Sequence, residues 1–202
     1  MATPLIDNID SYTVTSITGQ GTWSGSANYL VQSSVVQGGT NAISDAIGGA
    51  TIDATFTQAA TGNQQAWGRA TDVTTVNLWT LKMSEAGTNI ADIRTNAGNL
   101  EYYGNGAFHT LGAVSANTWW QVNIKWNASQ NTIAYSLNGG AFTTPASALG
   151  DMTNGLDRVH LDNGTASGGS IVYFDSFSDG NAVAATDIPN TLPLRALMGV
   201  GI

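Results

Sequence analysis

Arg158-Val159-His160 is the tripeptide in this sequence that sets a base beside a cation. In an extended strand, residues two apart share a face. The imidazole can then take a proton while the guanidinium neutralises an adjacent anion. On a half-exposed strand the same pattern reads as plain surface polarity, and that reading carries more weight. His109 and His160 are far apart and form no zinc-type spacing. With no cysteine in the chain, thiolate metal sites, thiol nucleophiles and disulfides are excluded.

Aromatic side chains are the second chemical resource, because sugar rings stack their C–H faces on them. Trp23, Trp67, Trp79, Tyr102, Tyr103 and Phe108 are candidates, whereas Trp120 and Trp126 belong to an apolar strand face. Tyr102 and Tyr103, as neighbours in a strand, point to opposite faces, which leaves one of them exposed. Beside Gly104-Asn105-Gly106, the set Tyr102, Tyr103, Phe108 and His109 is the candidate carbohydrate-contact site. Asp157, Asp162-Asn163-Gly164 and Thr165 offer oxygen atoms to a sugar or an ion, but Asp-Asn-Gly is read first as turn chemistry.

The elements that must position these residues are strands. Helical periodicity is nearly absent, and short alternations broken by Gly, Asn and Ser recur instead. Trp120-Gln121-Val122-Asn123-Ile124-Lys125-Trp126 buries its even positions and wets its odd ones, and 133–137 repeats the pattern. Asn127 to Asn131 reads as the hairpin loop between them, and Asn138-Gly139 as a tight turn into a third strand at 141–143. Further strands are expected at 29–36, 51–58, 76–84, 89–95, 100–103, 159–162 and 170–177. Turns at this spacing predict an all-β, antiparallel two-sheet jelly-roll sandwich over residues 1–180.

Composition narrows the partners. Only 10% of residues are charged, the net charge is -8, and the six basic residues are scattered, so no basic stripe exists for nucleic acid and anionic membranes are disfavoured. No apolar run reaches the roughly 20 residues that span a bilayer. Met-Ala-Thr-Pro-Leu-Ile-Asp lacks the basic and apolar regions of a signal peptide. Beyond Gly180 a small polar linker leads into an apolar tail, residues 181–202, whose Leu192, Leu194, Leu197 and Met198 are expected to dock on a partner or fold back over the sandwich.

Three stretches together resemble the concanavalin A-like lectin/glucanase superfamily in its laminin-G-like form. They are Ile9-Asp10-Ser11-Tyr12-Thr13 with Gly19-Gln20-Gly21-Thr22-Trp23, Thr118-Trp119-Trp120-Gln121-Val122 leading to Tyr135-Ser136-Leu137-Asn138-Gly139-Gly140, and Ile171-Val172-Tyr173-Phe174-Asp175-Ser176-Phe177. Ile9 stands where an aromatic is common and Asn138 where Asp is usual. The resemblance implies a structural Ca²⁺ held by Asp10, with Asp7 as its alternate, and Asp175, completed by main-chain carbonyls. Hydrolases of the superfamily carry a Glu-x-Asp-x-Glu strand. Here the only glutamates, Glu85 and Glu101, have no carboxylate two positions away, and the lyase motifs are also absent.

These readings predict a chain without catalysis. It would be a structural or decoration protein on a phage capsid or tail, displaying a lectin-like domain, joined to other virion subunits by its tail and met on the particle or outside the cell after lysis. The alternative is a free carbohydrate-binding module, or less readily a glycan hydrolase or lyase.

Overall fold

Alternation of bulky and polar residues sets the architecture. In the computed structural model, which describes residues 5–7, 9–164 and 169–180, fourteen strands form two seven-stranded sheets, and there is no α-helix among the described residues. The strands are β1 (Trp23–Gly25), β2 (Leu30–Gln32), β3 (Ala42–Asp45), β4 (Ala50–Ala59), β5 (Thr61–Ala70), β6 (Thr80–Glu85) and β7 (Thr88–Asn96). They continue with β8 (Asn99–Gly104), β9 (Ala107–Ala113), β10 (Trp120–Asn127), β11 (Thr132–Leu137), β12 (Ala146–Ser147), β13 (Leu156–Asn163) and β14 (Val172–Asp179). One sheet runs β1-β4-β13-β6-β7-β8-β9, the other β12-β11-β10-β5-β14-β3-β2, and every pairing is antiparallel. The sandwich predicted from the sequence is the fold.

The inner faces meet in one core. Ile52, Val159, Leu161, Leu81 and Ile93 face it from the first sheet, and Val122, Ile124, Tyr135 and Phe174 from the second. Trp79 stacks on Phe174 with ring centroids 5.1 Å apart and meets Trp120 edge-on at 5.7 Å. Burying each such Ile, Leu or Phe side chain contributes roughly 1.5–3 kcal/mol.

The expected meander is present in part. β10 and β11 pair from Val122↔Leu137 to Asn127↔Thr132, joined by a 3₁₀ turn, Ala128–Gln130, that Asn127 caps. Asn138 and Gly139 both take positive φ, as a tight turn requires. The third strand, however, is not 141–143. The chain leaves the sheet after the turn, touching β11 through hydrogen bonds between Tyr135 and Thr143, and pairs again only at β12. Pro145 has no N–H to give a ladder, and Phe142 is left 39% exposed.

The N-terminal segment is tied to the last strand. Asp7 and Phe177 exchange both backbone hydrogen bonds at 2.8 Å. The Asp7 carboxylate also accepts from the Tyr12 hydroxyl, the Trp23 indole and the Ile9 amide, at 2.6, 2.8 and 3.0 Å.

Candidate functional site

The register of the first sheet lines up one cross-strand row on the face turned away from the core. Ser24 on β1 pairs with Asp53 on β4, Asp53 with His160 on β13, His160 with Lys82 on β6, and Lys82 with Asp92 on β7. Tyr103 and Phe108 pair at the far end, on β8 and β9. Two residues along each strand lies a second row of Thr51, Asp162, Thr80, Arg94, Glu101 and Thr110. Three of the six basic residues of the chain, Lys82, Arg94 and Arg158, share this face.

Most of these charges are satisfied by a neighbour. Lys82 and Asp162 are 3.1 Å apart, as are Arg94 and Glu101. Arg158 lies 3.6 Å from one Asp53 oxygen, while His160 Nδ1 meets the other at 2.7 Å. A carboxylate only accepts, so Asp53 fixes the hydrogen of neutral His160 on Nδ1 and leaves a lone pair on Nε2. Among the described residues Nε2 has no hydrogen-bond partner. The arrangement is that of a base oriented by a carboxylate.

Asp92 differs from its neighbours. It is 9% exposed, and its Oδ1 is enclosed without a hydrogen-bond partner among the described residues. Burial pushes its carboxyl up to about 6, against the pull of Lys82 and Arg94 and with a smaller push from Asp162. These four residues, with Thr80 and Phe108, line a cleft of about 440 Å³. A more apolar hollow on the other sheet, between Trp126, Phe142 and Pro145, is lined by no acidic or histidine side chain. A hollow between Asp7, Tyr12 and Phe177 has one carboxylate, already held by Tyr12 and Trp23, so of these three the first cleft is the one that gathers several charged side chains.

The four residues of the expected carbohydrate-contact site divide between two faces. Tyr103 and Phe108 stand on the charged face, edge to face with centroids 5.3 Å apart. The Arg94 guanidinium lies 3.4 Å over the Phe108 ring, so that ring serves first as its rest. Tyr102 and His109 lie on the face turned to the second sheet, where Tyr102 packs 4.8 Å from Tyr135 and His109 Nε2 is 2.8 Å from the Gly104 carbonyl. Trp23 and Trp79 are core residues, and Trp67 is half-buried.

Asp10 and Asp175 approach one loop from two sides. Asp10 accepts the amides of Thr40 and Asn41 at 2.6 and 2.9 Å, and Asp175 accepts that of Gln37 at 2.9 Å and the Ser176 hydroxyl at 3.1 Å. Asp175 is fully buried, and burial raises its carboxyl above the usual range. Neither carboxylate has a cationic side chain as salt-bridge partner among the described residues. Oxygen donors of this kind suit a hard cation. Yet no three His, Cys, Asp or Glu side chains gather as a metal group among the described residues, so main-chain oxygens would have to complete the shell. Asp7 is committed to Tyr12 and Trp23. Leu192, Leu194, Leu197 and Met198, like Thr165, lie outside the described residues.

The sequence reading weighed Arg158 and His160 and favoured plain surface polarity for them, and it did not single out Asp53, Lys82, Asp92 and Arg94. Each occupies a polar position of an alternating strand, such as Ala91-Asp92-Ile93-Arg94, and that was the available signal. Nothing local to the sequence places β13 between β4 and β6.

A jelly-roll sandwich with charged, titratable and aromatic side chains across one sheet face is the class of protein these observations define. No protein-family model matches the chain. No curated protein matches it either. Among solved structures it is similar to a sialidase, with TM-score 0.69 and 9% identity over 87% of this chain, though it spans only 18% of that one. It is also similar to a carbohydrate esterase of the Shiga toxin-encoding bacteriophage phi24B, with TM-score 0.53 and 15% identity over 86% of this chain and 98% of that one. A third similarity is to the GH131 β-glucanase catalytic domain of Podospora anserina, with TM-score 0.54 and 10% identity over 87% and 95% of the two chains. At such identities the likeness is one of fold: a β-sandwich jelly roll found in carbohydrate-active proteins.

These likenesses correct the expectation of a chain without catalysis, because enzymes that act on carbohydrates are built on this fold. The missing Glu-x-Asp-x-Glu strand excludes one hydrolytic set. It does not exclude the acid–base groups that this face assembles from four separate strands.

Proposed function

We propose that this chain is a glycan-hydrolysing domain of the concanavalin A-like type, laying its substrate across the outer face of the β1–β9 sheet. The observation that carries the reading is the row Asp53–His160–Lys82–Asp92 on four adjacent strands, in a chain with so few charges. His160, held by Asp53, takes a proton from water through Nε2, and Tyr103 with Phe108 gives the sugar an apolar edge. Release of reducing ends from a panel of plant, fungal and bacterial-surface polysaccharides is the test. The wild-type chain should cleave at least one of them, and His160→Ala should slow it about 100-fold. Binding to a glycan with no cleavage of any would reduce the chain to a recognition module and overturn the reading.

A virion setting is a second reading, favoured by the likeness to the phage esterase over nearly all of that chain. In that setting residues 187–202 attach the domain to neighbouring subunits. Its test is whether purified particles contain the chain. A structural Ca²⁺ between Asp10 and Asp175 is proposed alongside, supported by two carboxylates without cationic partners that grip one loop.

A further inference from the structure

The cleft beside the His160–Asp53 pair contains one group that the sheet does not explain. Lys82, Asp162, Arg94, Glu101, Arg158 and Asp53 all pair with one another across strands. Asp92 is nine-tenths buried among them, lines the cleft, and keeps Oδ1 without a partner. A buried polar atom left unpaired is expensive, so the enclosed Oδ1 favours the protonated acid, while the other carboxyl oxygen, with no hydrogen bond among the described residues, is the one the cleft can reach.

We propose that Asp92 is the acid of this cleft, handing its proton to the oxygen that leaves when a bound glycan is cleaved. The inference rests on the glycan-hydrolysing reading and names the second proton-transfer group of that site. The glycosidic C–O bond breaks with its electron pair kept by the leaving oxygen, which takes the proton from Asp92. Water adds its oxygen to the sugar carbon and gives a proton to His160 Nε2. The Asp92 carboxylate that remains faces Lys82 and Arg94, and solvent restores both groups, so one water is consumed per bond.

The spacing supports this division of labour. His160 and Asp92 stand in one row with β6 between them, about 10 Å apart at the backbone. Lys82 stands between them in that row, and a glycan lying over it meets both groups. The groups around Asp92 are Lys82 from β6, Asp162 from β13, Arg94 on its own strand, and Tyr103 and Glu101 from β8. From the second sheet, the Tyr135 hydroxyl reaches the main chain of β7 and β8. The two cations would hold a carboxylate here, yet burial outweighs them and keeps the acid protonated in mildly acidic solution.

Asp92→Asn keeps the shape and removes the proton. On whichever polysaccharide the wild-type chain cleaves, kcat should fall about 100-fold in this variant while glycan affinity stays within about threefold. The wild-type rate should decline as pH rises through about 6, whereas the residual rate of the variant should not follow that limb. An Asp92→Asn chain with the wild-type rate and pH profile overturns the assignment and leaves the hydrolytic reading intact. A wild-type chain that neither cleaves nor binds any glycan overturns both. Thermal melts of each protein establish that the variant is folded.

Discussion

At the scale of single residues, Asp92 also shapes stability. Its folded-state value of about 6 lies above the ordinary value of 3.8, so the native chain binds this proton more tightly than the unfolded one. Stability is therefore lost as pH rises from about 4 to about 6, and above that the full penalty of a buried carboxylate persists, on the order of 2–3 kcal/mol. Asp92→Asn removes the charge but not the volume. It should raise Tm at pH 8 by several degrees and give little gain at pH 4. An equal gain at both pH values would show that burial of the charge is not the cause. The neighbouring ion pairs contribute less, since partly exposed pairs such as Lys82–Asp162 are worth about 0–1 kcal/mol.

At the scale of elements, β5 shows how a core can be built from absences. It lies in the middle of its sheet between β10 and β14, yet its inward residues include Gly62, Ala66, Gly68 and Ala70. The space they leave is filled by rings: Trp126 against Gly62, and Trp79 with Trp120 against Gly68. A methyl at position 68 would enter both indoles, so Gly68→Ala should destabilise the fold by about 1–3 kcal/mol, read as a lower urea midpoint at unchanged slope. An unchanged midpoint would mean that the indoles can move aside. The same feature explains what the sequence concealed. β10 and β11 were legible because bulky residues alternate along them, whereas Gly-Asn-Gln-Gln-Ala-Trp-Gly-Arg offers no apolar stripe. The site was half legible for a related reason. The alternation in each strand put Arg158 and His160 on one face, but their partners Asp53, Lys82 and Asp92 become neighbours only through a strand order that no local pattern encodes.

At the scale of the whole molecule, the sandwich is fastened where its two ends meet. Asp7 bridges to Phe177, and Asp10 and Asp175 hold the loop at residues 37–41 between them. A cation shared by these carboxylates would tie the first segment, the loop and the last strand at one point. With Ca²⁺ present, excess EDTA should then lower Tm by several degrees, and Asp175→Asn should abolish that response. A melt indifferent to chelator would show that the amides of Gln37, Thr40 and Asn41 balance the charge unaided.

The interior position of β13 has a consequence in time. β4 and β6 are made early, but each keeps one bare edge until residues 156–163 have been synthesised and inserted between them. Bare edges invite pairing with other chains, and contacts so distant in sequence form slowly, on the order of milliseconds to seconds. His160 and Asp162 ride on that late strand. The Asp53–His160–Lys82–Asp92 row is thus closed by the same event that covers those two edges, so a chain whose sheet has not closed lacks that row.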